Sequence, residues 1–264
     1  EVTIGITGKY TALRDSYASI IKALEHSGVA VGAEVNVKWI ETSDVTDKNV
    51  AETLADVDGV IVPGGFGVRG TAGKIACIRY ARENRLPYLG ICLGFQMAVI
   101  EYARNVCDMP EANSTEIDPD CKVPVISVLP EQKEIEGLGG NMRLGGQDVE
   151  LTADTLASEL YGRKTRIRQR FRHRYEVDPD YIEGLETGGM VFSGRHPVHP
   201  IMQVLELPRQ QHPYFIAAQF HPELTSRPLR PQPMFVGLVR AALEKRKGGS
   251  VTVPPARDRE PQET

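Results

Sequence analysis

Cysteine is scarce in this chain. Four residues, Cys77, Cys92, Cys107 and Cys121, stand 14 or 15 positions apart in 264. No C-x-x-C pair or Cys/His cluster occurs, which removes the usual zinc arrangements. A chain this long buries roughly 70–75% of the surface that its unfolded form exposes, so it needs no disulfides. The four cysteines therefore read as reduced thiols of a cytoplasmic protein, one or two of them at most with special chemistry. Basic excess is also missing. Thirty-one Lys and Arg against 35 Asp and Glu leave a net charge of −4, which argues against a general nucleic-acid binder. No apolar run approaches the ~20 residues of a membrane helix, and no membrane partner is expected. The chain begins at Glu1, without a signal-peptide pattern, and leads almost directly into the strand-like Val2–Ile6. The simplest expectation is a piece cut from a longer protein. What remains, 41% apolar and 25% charged, has the composition of an ordinary globular protein.

The first hundred residues alternate strand and helix. After Val2–Ile6, Leu13, Tyr17, Ile20, Ile21 and Leu24 recur at helical spacing, with Gly28 as the expected C-cap. Strands are expected at Val35–Ile40, Val60–Val62 and Pro87–Ile91, and helices around Val50–Val57, over Thr71–Glu83 and from Met97 to Arg104. This alternation implies a parallel sheet covered on both faces, with ligands at the carboxyl ends of its strands. From about Val123 short strands dominate (Val123–Leu129, Thr165–Arg170, Met190–Ser193, Ile201–Leu207, Tyr214–Phe220), as if a smaller antiparallel layer were added. A last helix is expected from Met234 to Lys247. The polar residues beyond it, through Thr264, read as a disordered tail. The expectation is an α/β fold with a flavodoxin-like, mostly parallel central sheet, one domain over 1–246 and a tail over 247–264.

Two glycine patterns mislead. Gly65-Phe66-Gly67-Val68-Arg69-Gly70 is a literal G-x-G-x-x-G between a strand and a helix, but the next strand ends at Gly90-Ile91-Cys92 without the acidic residue that would hold a ribose. Gly67 to Lys74 is one residue too long for a P-loop, and Ile75 replaces the Ser or Thr that would bind magnesium.

Gly90-Ile91-Cys92-Leu93-Gly94 is a different matter. It is the cysteine form of the nucleophile elbow, set between a buried strand and a helix. The glycines permit a sharp turn, the helix N-terminus favours a thiolate, and the Leu93 N–H points where an oxyanion would form. Taken alone, a buried structural cysteine in a glycine-rich turn fits equally well. A second piece separates the two readings. Gln219-Phe220-His221-Pro222-Glu223 follows an apolar strand, so His221 stands at a carboxyl strand end, where its imidazole can take and return a proton. Glu223 can hold the other ring nitrogen. His26, His196, His199 and His212 have no such setting. A third piece, Pro63-Gly64-Gly65-Phe66-Gly67, offers the Gly65 N–H as a second oxyanion donor.

These pieces, in this order, resemble the class I, triad-type glutamine amidotransferases, over essentially the whole chain to about residue 246. Further stretches narrow the resemblance to the glutaminase domains of the cytidine triphosphate (CTP) synthase family: Gly8–Tyr10 with Leu13–Tyr17, Pro63–Gly70, Leu89–Gln96, Asn113–Glu116, Leu138–Gly145, Arg172–Val177, and Gln219–Glu223 with Ser226–Pro228. The resemblance implies hydrolysis of L-glutamine through a γ-glutamyl thioester on Cys92. The ammonia would pass to a synthetase domain of the same polypeptide, absent from this chain, which uses ATP and magnesium to convert UTP to CTP. It implies glutamine contacts at Gly65, Leu93, Gly94, Phe95, Gln96, Glu116 and Arg174. The last two suit a substrate with one ammonium and one carboxylate. It further implies no cofactor or metal for the glutaminase step, GTP as an allosteric effector, and a tetrameric full-length enzyme.

Arg163 to Arg174 holds seven Lys or Arg and no acid. Period-two alternation places Arg166, Arg168 and Arg170 on one strand face, expected to be solvated or to dock a synthetase domain or a nucleotide. The chain departs from relatives in a short connection between Leu129 and Leu138, which bears on the GTP response, and in Phe95 and Leu224, where Met and Phe are common. An amidotransferase of another pathway and a catalytically silent assembly module of the same fold are the alternatives.

Overall fold

A computed structural model describes residues 1–8, 17–129 and 142–248. All but the first two residues of the expected tail over 247–264, the start of the first helical pattern and the short connection after Leu129 fall outside them. Five short strands form a parallel half-sheet: β1 (Val2–Gly8), β2 (Val35–Glu41), β3 (Gly59–Val62), β4 (Tyr88–Ile91) and β12 (Phe215–Ala218), in the spatial order β2-β1-β3-β4-β12. Their side chains alternate between two apolar layers. Val60, Val62, Tyr88 and Phe215 face the helices α3 (Thr71–Glu83) and α4 (Leu93–Asn105). Ile61, Leu89, Ile91 and Ile216 face α1 (Ala18–Val31) and the last helix, α7 (Pro233–Arg246). A strand buried on both faces must be apolar throughout, which is why GVIV and YLGI are so short and so hydrophobic.

The antiparallel strands do not stack as a separate layer over this sheet. β11 (Met202–Glu206), β10 (Val191–Arg195), β7 (Arg143–Leu151) and β8 (Arg166–His173) continue it beyond β12, giving nine strands in one sheet among the described residues. A second, three-stranded sheet is mixed: β5 (Ala112–Ser114), β6 (Val123–Ser127) and β9 (Glu176–Val177). Along β8 every second residue is exposed, so Arg166, Arg168, Arg170 and Arg172 share one face. Glu150 and Asp148 of the paired strand hold Arg166 and Arg168 at 2.6 and 3.0 Å.

The first helix runs past Gly28 and ends at Gly32, whose φ of 72° is the left-handed C-cap. Gly28 serves packing instead, since a side chain there would lie 2.8 Å from the Ala33 carbonyl oxygen. The remaining helices among the described residues are α2 (Val50–Thr53), α5 (Leu156–Leu160) and α6 (Pro179–Thr187). The last two are capped by Thr155 and Asp178 side chains. No helix among the described residues is long and apolar enough to cross a membrane.

Candidate active site

Strands β3, β4 and β12 are neighbours and run parallel, so the residues that follow each of them emerge on one edge of the sheet. Gly64 and Gly65 follow β3, Cys92 follows β4, and His221 comes shortly after β12. Chain positions more than a hundred residues apart are thereby placed side by side.

Cys92 occupies the turn between β4 and α4 with φ 51° and ψ −97°, a region that non-glycine residues rarely enter and that marks stored strain. Its N–H donates to the Ala218 carbonyl at 2.7 Å, and its carbonyl accepts from the Gln96 N–H at 3.2 Å, so the strained turn is pinned from both sides. The strain sits on the cysteine itself rather than on its flanking glycines, neither of which has a positive φ. Those glycines serve close approach. A Cβ on Gly94 would overlap the Val62 carbonyl, and one on Gly90 would meet the Ala217 Cβ at 2.7 Å.

His221 is held by its backbone N–H, which donates to the Arg170 carbonyl at 2.9 Å, and it heads the short 3-10 turn Pro222–Thr225. Its Nδ1 lies 2.6 Å from Glu223 Oε1. An ionised carboxylate only accepts, so Nδ1 carries the proton and Nε2 is left for the sulfur. Gly64 measures how close the imidazole and Cys92 are: a Cβ built there would be 2.9 Å from His221 Cε1 and 3.5 Å from Cys92 Cβ. Burial alone would depress the imidazole. Hydrogen bonds to Cys92 and Glu223, reinforced by the charges of both, outweigh it and raise His221 to about 10. The ring is thus an imidazolium at neutral pH.

The other cysteines lack this setting. Burial pushes the Cys77 thiol up to about 12 and raises Cys107 and Cys121 as well.

A Cβ on Gly65 would touch Leu93 Cδ2 at 3.7 Å, so the loop after β3 lies against the first turn of α4. The Gly67 N–H donates to Glu116 Oε1 at 3.0 Å, which brings that carboxylate to the same loop. Phe95 is completely buried. The Gln96 side chain also points inward; its Nε2 donates to the Tyr175 carbonyl (3.1 Å) and to Gln219 Oε1 (3.2 Å). Arg174 is exposed between two anchors, the Arg172 carbonyl 3.8 Å from Cys92 Sγ and Tyr175 on Gln96. Burial keeps the neighbouring His173 neutral, lowered to about 3, and its Nδ1 donates to the Tyr175 carbonyl at 3.1 Å. Glu176, beyond it, is paired with Arg143.

Two contacts went unread in the sequence. Gly64 lies against both Cys92 and the imidazole, and the Gln219 amide reaches the sulfur at 3.7 Å. Only the position of Gln219 beside Phe220-His221 could have signalled the second.

Residues 12–241 match the family described as glutamine amidotransferase class-I. A CTP synthase of Staphylococcus carnosus is 53% identical over 242 residues, covering 92% of this chain and 44% of the relative. One from Thermococcus gammatolerans is 55% identical over 250 residues, covering 94% and 46%. The chain thus spans under half the length of these curated relatives. Among solved structures, the Trypanosoma brucei CTPS glutaminase domain with bound acivicin superposes with a TM-score of 0.87 at 31% identity, covering 98% of each chain. A glutamine amidotransferase from Methylobacillus flagellatus shares the fold, with a TM-score of 0.50 at 17% identity over 84% of this chain and 70% of that one. This chain belongs to the class-I glutamine amidotransferases, among the glutaminase domains of CTP synthases.

Proposed function

We propose that Cys92, His221 and Glu223 are the triad with which this domain hydrolyses L-glutamine. The ammonia would serve a synthetase domain that converts UTP to CTP with ATP and magnesium. The observation that supports it most is the meeting of Cys92, the imidazole and its carboxylate at the ends of two neighbouring parallel strands.

The Cys92 thiolate attacks the side-chain amide carbon of glutamine, and the C=O pair moves onto oxygen. That oxyanion faces the Leu93 and Gly65 N–H groups, donors of the kind worth several kcal/mol in acyl transfer. His221, charged at the outset, gives its Nε2 proton to the leaving nitrogen; the C–N bond breaks, ammonia departs and a γ-glutamyl thioester remains. Neutral His221 then takes a proton from water, hydroxide attacks the thioester carbon, and the sulfur leaves as thiolate with glutamate released. Glu223 keeps the ring in one tautomer throughout. Glu116 and Arg174 bind the substrate's ammonium and carboxylate, and the first turn of α4, Leu93 to Gln96, lies along it. Channelling suits the chemistry, because ammonia free in neutral water is mostly protonated and a poor nucleophile. ATP and magnesium are assigned to the synthetase domain, GTP to the regulation of the full-length tetramer, and the compartment to the cytoplasm. The domain runs to about residue 246, where the last helix ends, with 247–264 as its tail.

Glutamate release from glutamine tests the reading. Cys92→Ala should abolish it, whereas Cys77→Ala, Cys107→Ala and Cys121→Ala should not. A glutamine-mimicking electrophile should leave one adduct, on the Cys92 peptide. Retained turnover in Cys92→Ala, or a folded chain with unreactive Cys92 and no ammonia, would refute it.

A further inference from the structure

Gln219 is completely buried directly behind the sulfur of Cys92. Its backbone is fixed by an N–H bond to the Gln203 carbonyl at 2.9 Å. Its Nε2 lies 3.7 Å from Cys92 Sγ and its Oε1 3.2 Å from Gln96 Nε2. The two ends of an amide are interchangeable unless the surrounding network decides between them. Here it does. Gln96 Nε2 also faces the Tyr175 carbonyl at 3.1 Å, an oxygen that can only accept, so that atom of Gln96 must be the nitrogen. The Gln219 atom bonded to it must then be the oxygen. An N–H of Gln219 is consequently aimed at the sulfur, and an unbroken series runs from a backbone carbonyl to the nucleophile.

The sulfur's other neighbours give that donor a purpose. The Arg172 carbonyl, 3.8 Å away, can bond only the protonated thiol, because a thiolate has no hydrogen to donate. An N–H donor and the imidazolium of His221 favour the anion. We propose that the Gln219 side-chain amide holds the Cys92 sulfur as a thiolate and fixes its direction, with Gln96 setting the amide's orientation. The inference rests on Cys92 being the nucleophile and adds to the triad a donor that stays on the sulfur when no substrate is bound.

The test is the rate of alkylation by iodoacetamide against pH, followed at the Cys92 peptide by mass spectrometry in the whole 264-residue chain without substrate. Gln219→Met keeps the length of the side chain and removes the donor. The alkylation midpoint should rise by about one pH unit, a roughly tenfold loss of thiolate below it, as expected for one hydrogen bond to a charged acceptor. The kcat for glutamine should fall by a similar factor with KM little changed. Gln96→Met, which frees the Gln219 amide to flip, should move the midpoint in the same direction. The double variant should move it no further than Gln219→Met alone, since both act through one donor. A folded Gln219→Met whose midpoint stays at the parent value overturns the inference, however much its stability changes. Should Gln219→Met not fold, an unmoved midpoint in Gln96→Met overturns it instead. Failure of the underlying reading looks different, because Cys92→Ala would then still hydrolyse glutamine whatever the Gln219 variants do.

Discussion

Gly64→Ala should damage catalysis while leaving the fold nearly untouched. Gly64 is half-buried and has no positive φ, so alanine meets no backbone penalty there. Its new methyl would stand 2.9 Å from His221 Cε1 and 3.5 Å from Cys92 Cβ. The second distance is an ordinary contact; the first is not. Cys92 is pinned by backbone bonds to β12 and α4, so the imidazole must give way, by about half an ångström. That displacement acts on the line between base and sulfur, where a misplacement of about 1 Å can cost 10²-fold. We expect kcat for glutamine hydrolysis to fall by roughly 10- to 100-fold, about 1.4–2.7 kcal/mol of barrier. The denaturation midpoint should shift little, because the methyl meets the end of one ring rather than packed backbone. Steady-state ammonia release alongside urea unfolding of the same preparation separates the two effects. A parent-like kcat would show that His221 does not need its position against the sulfur. A loss of activity matched by a loss of stability would show that the methyl disrupts the sheet edge instead.

Gly94→Ala should show the opposite balance. Its Cβ would overlap a backbone carbonyl of β3, so urea unfolding should register a loss of about 2–4 kcal/mol. Glu223→Gln should lower His221 from about 10 toward its ordinary 6.5, as read by NMR of the imidazole, because the carboxylate's hydrogen bond and charge both support the cation. Its kcat should fall by roughly 10²- to 10⁴-fold, and an unmoved titration would refute the pairing. His212 lies between the Ala81 carbonyl, 3.0 Å from its Nε2, and the Tyr214 N–H, 3.1 Å from its Nδ1, an arrangement that only the neutral ring satisfies. Burial lowers it to about 4. The unfolded chain therefore takes up a proton that the native state refuses, and stability is lost as pH falls from 6.5 toward 4. The loss is on the order of 3 kcal/mol. In His212→Gln, unfolding free energies measured across that window should lose this slope.

The chain's one-dimensional signals were strongest where a single local rule applied. Alternation of apolar strands with helical periods exposed the parallel half of the sheet, and Thr71–Glu83 was legible to the residue because Gly70 and Asn84 bound an unbroken helical pattern. The elbow around Cys92 and the His221/Glu223 pair were legible because a strand end followed by glycine, or by proline, limits what the backbone can do. The helix stop at Gly28 misled for a related reason: glycine marks both a left-handed cap and a close approach, and composition does not distinguish them. The antiparallel strands looked like an added layer because period-two patterning reports a buried face, not which strand lies alongside.

By itself, then, the sequence determined which residue types stand at the ends of which strands, and therefore the kind of chemistry available. The tertiary structure decided who meets whom. Strand order placed β12 beside β4, although more than a hundred residues separate them, and so set the imidazole against the sulfur. It brought Gly64 against both of them and aimed a buried amide from Gln219 at the Cys92 sulfur. Such pairings depend on register and packing across the sheet, which no local pattern encodes, because each partner's own neighbours in the chain are satisfied wherever the other one lies.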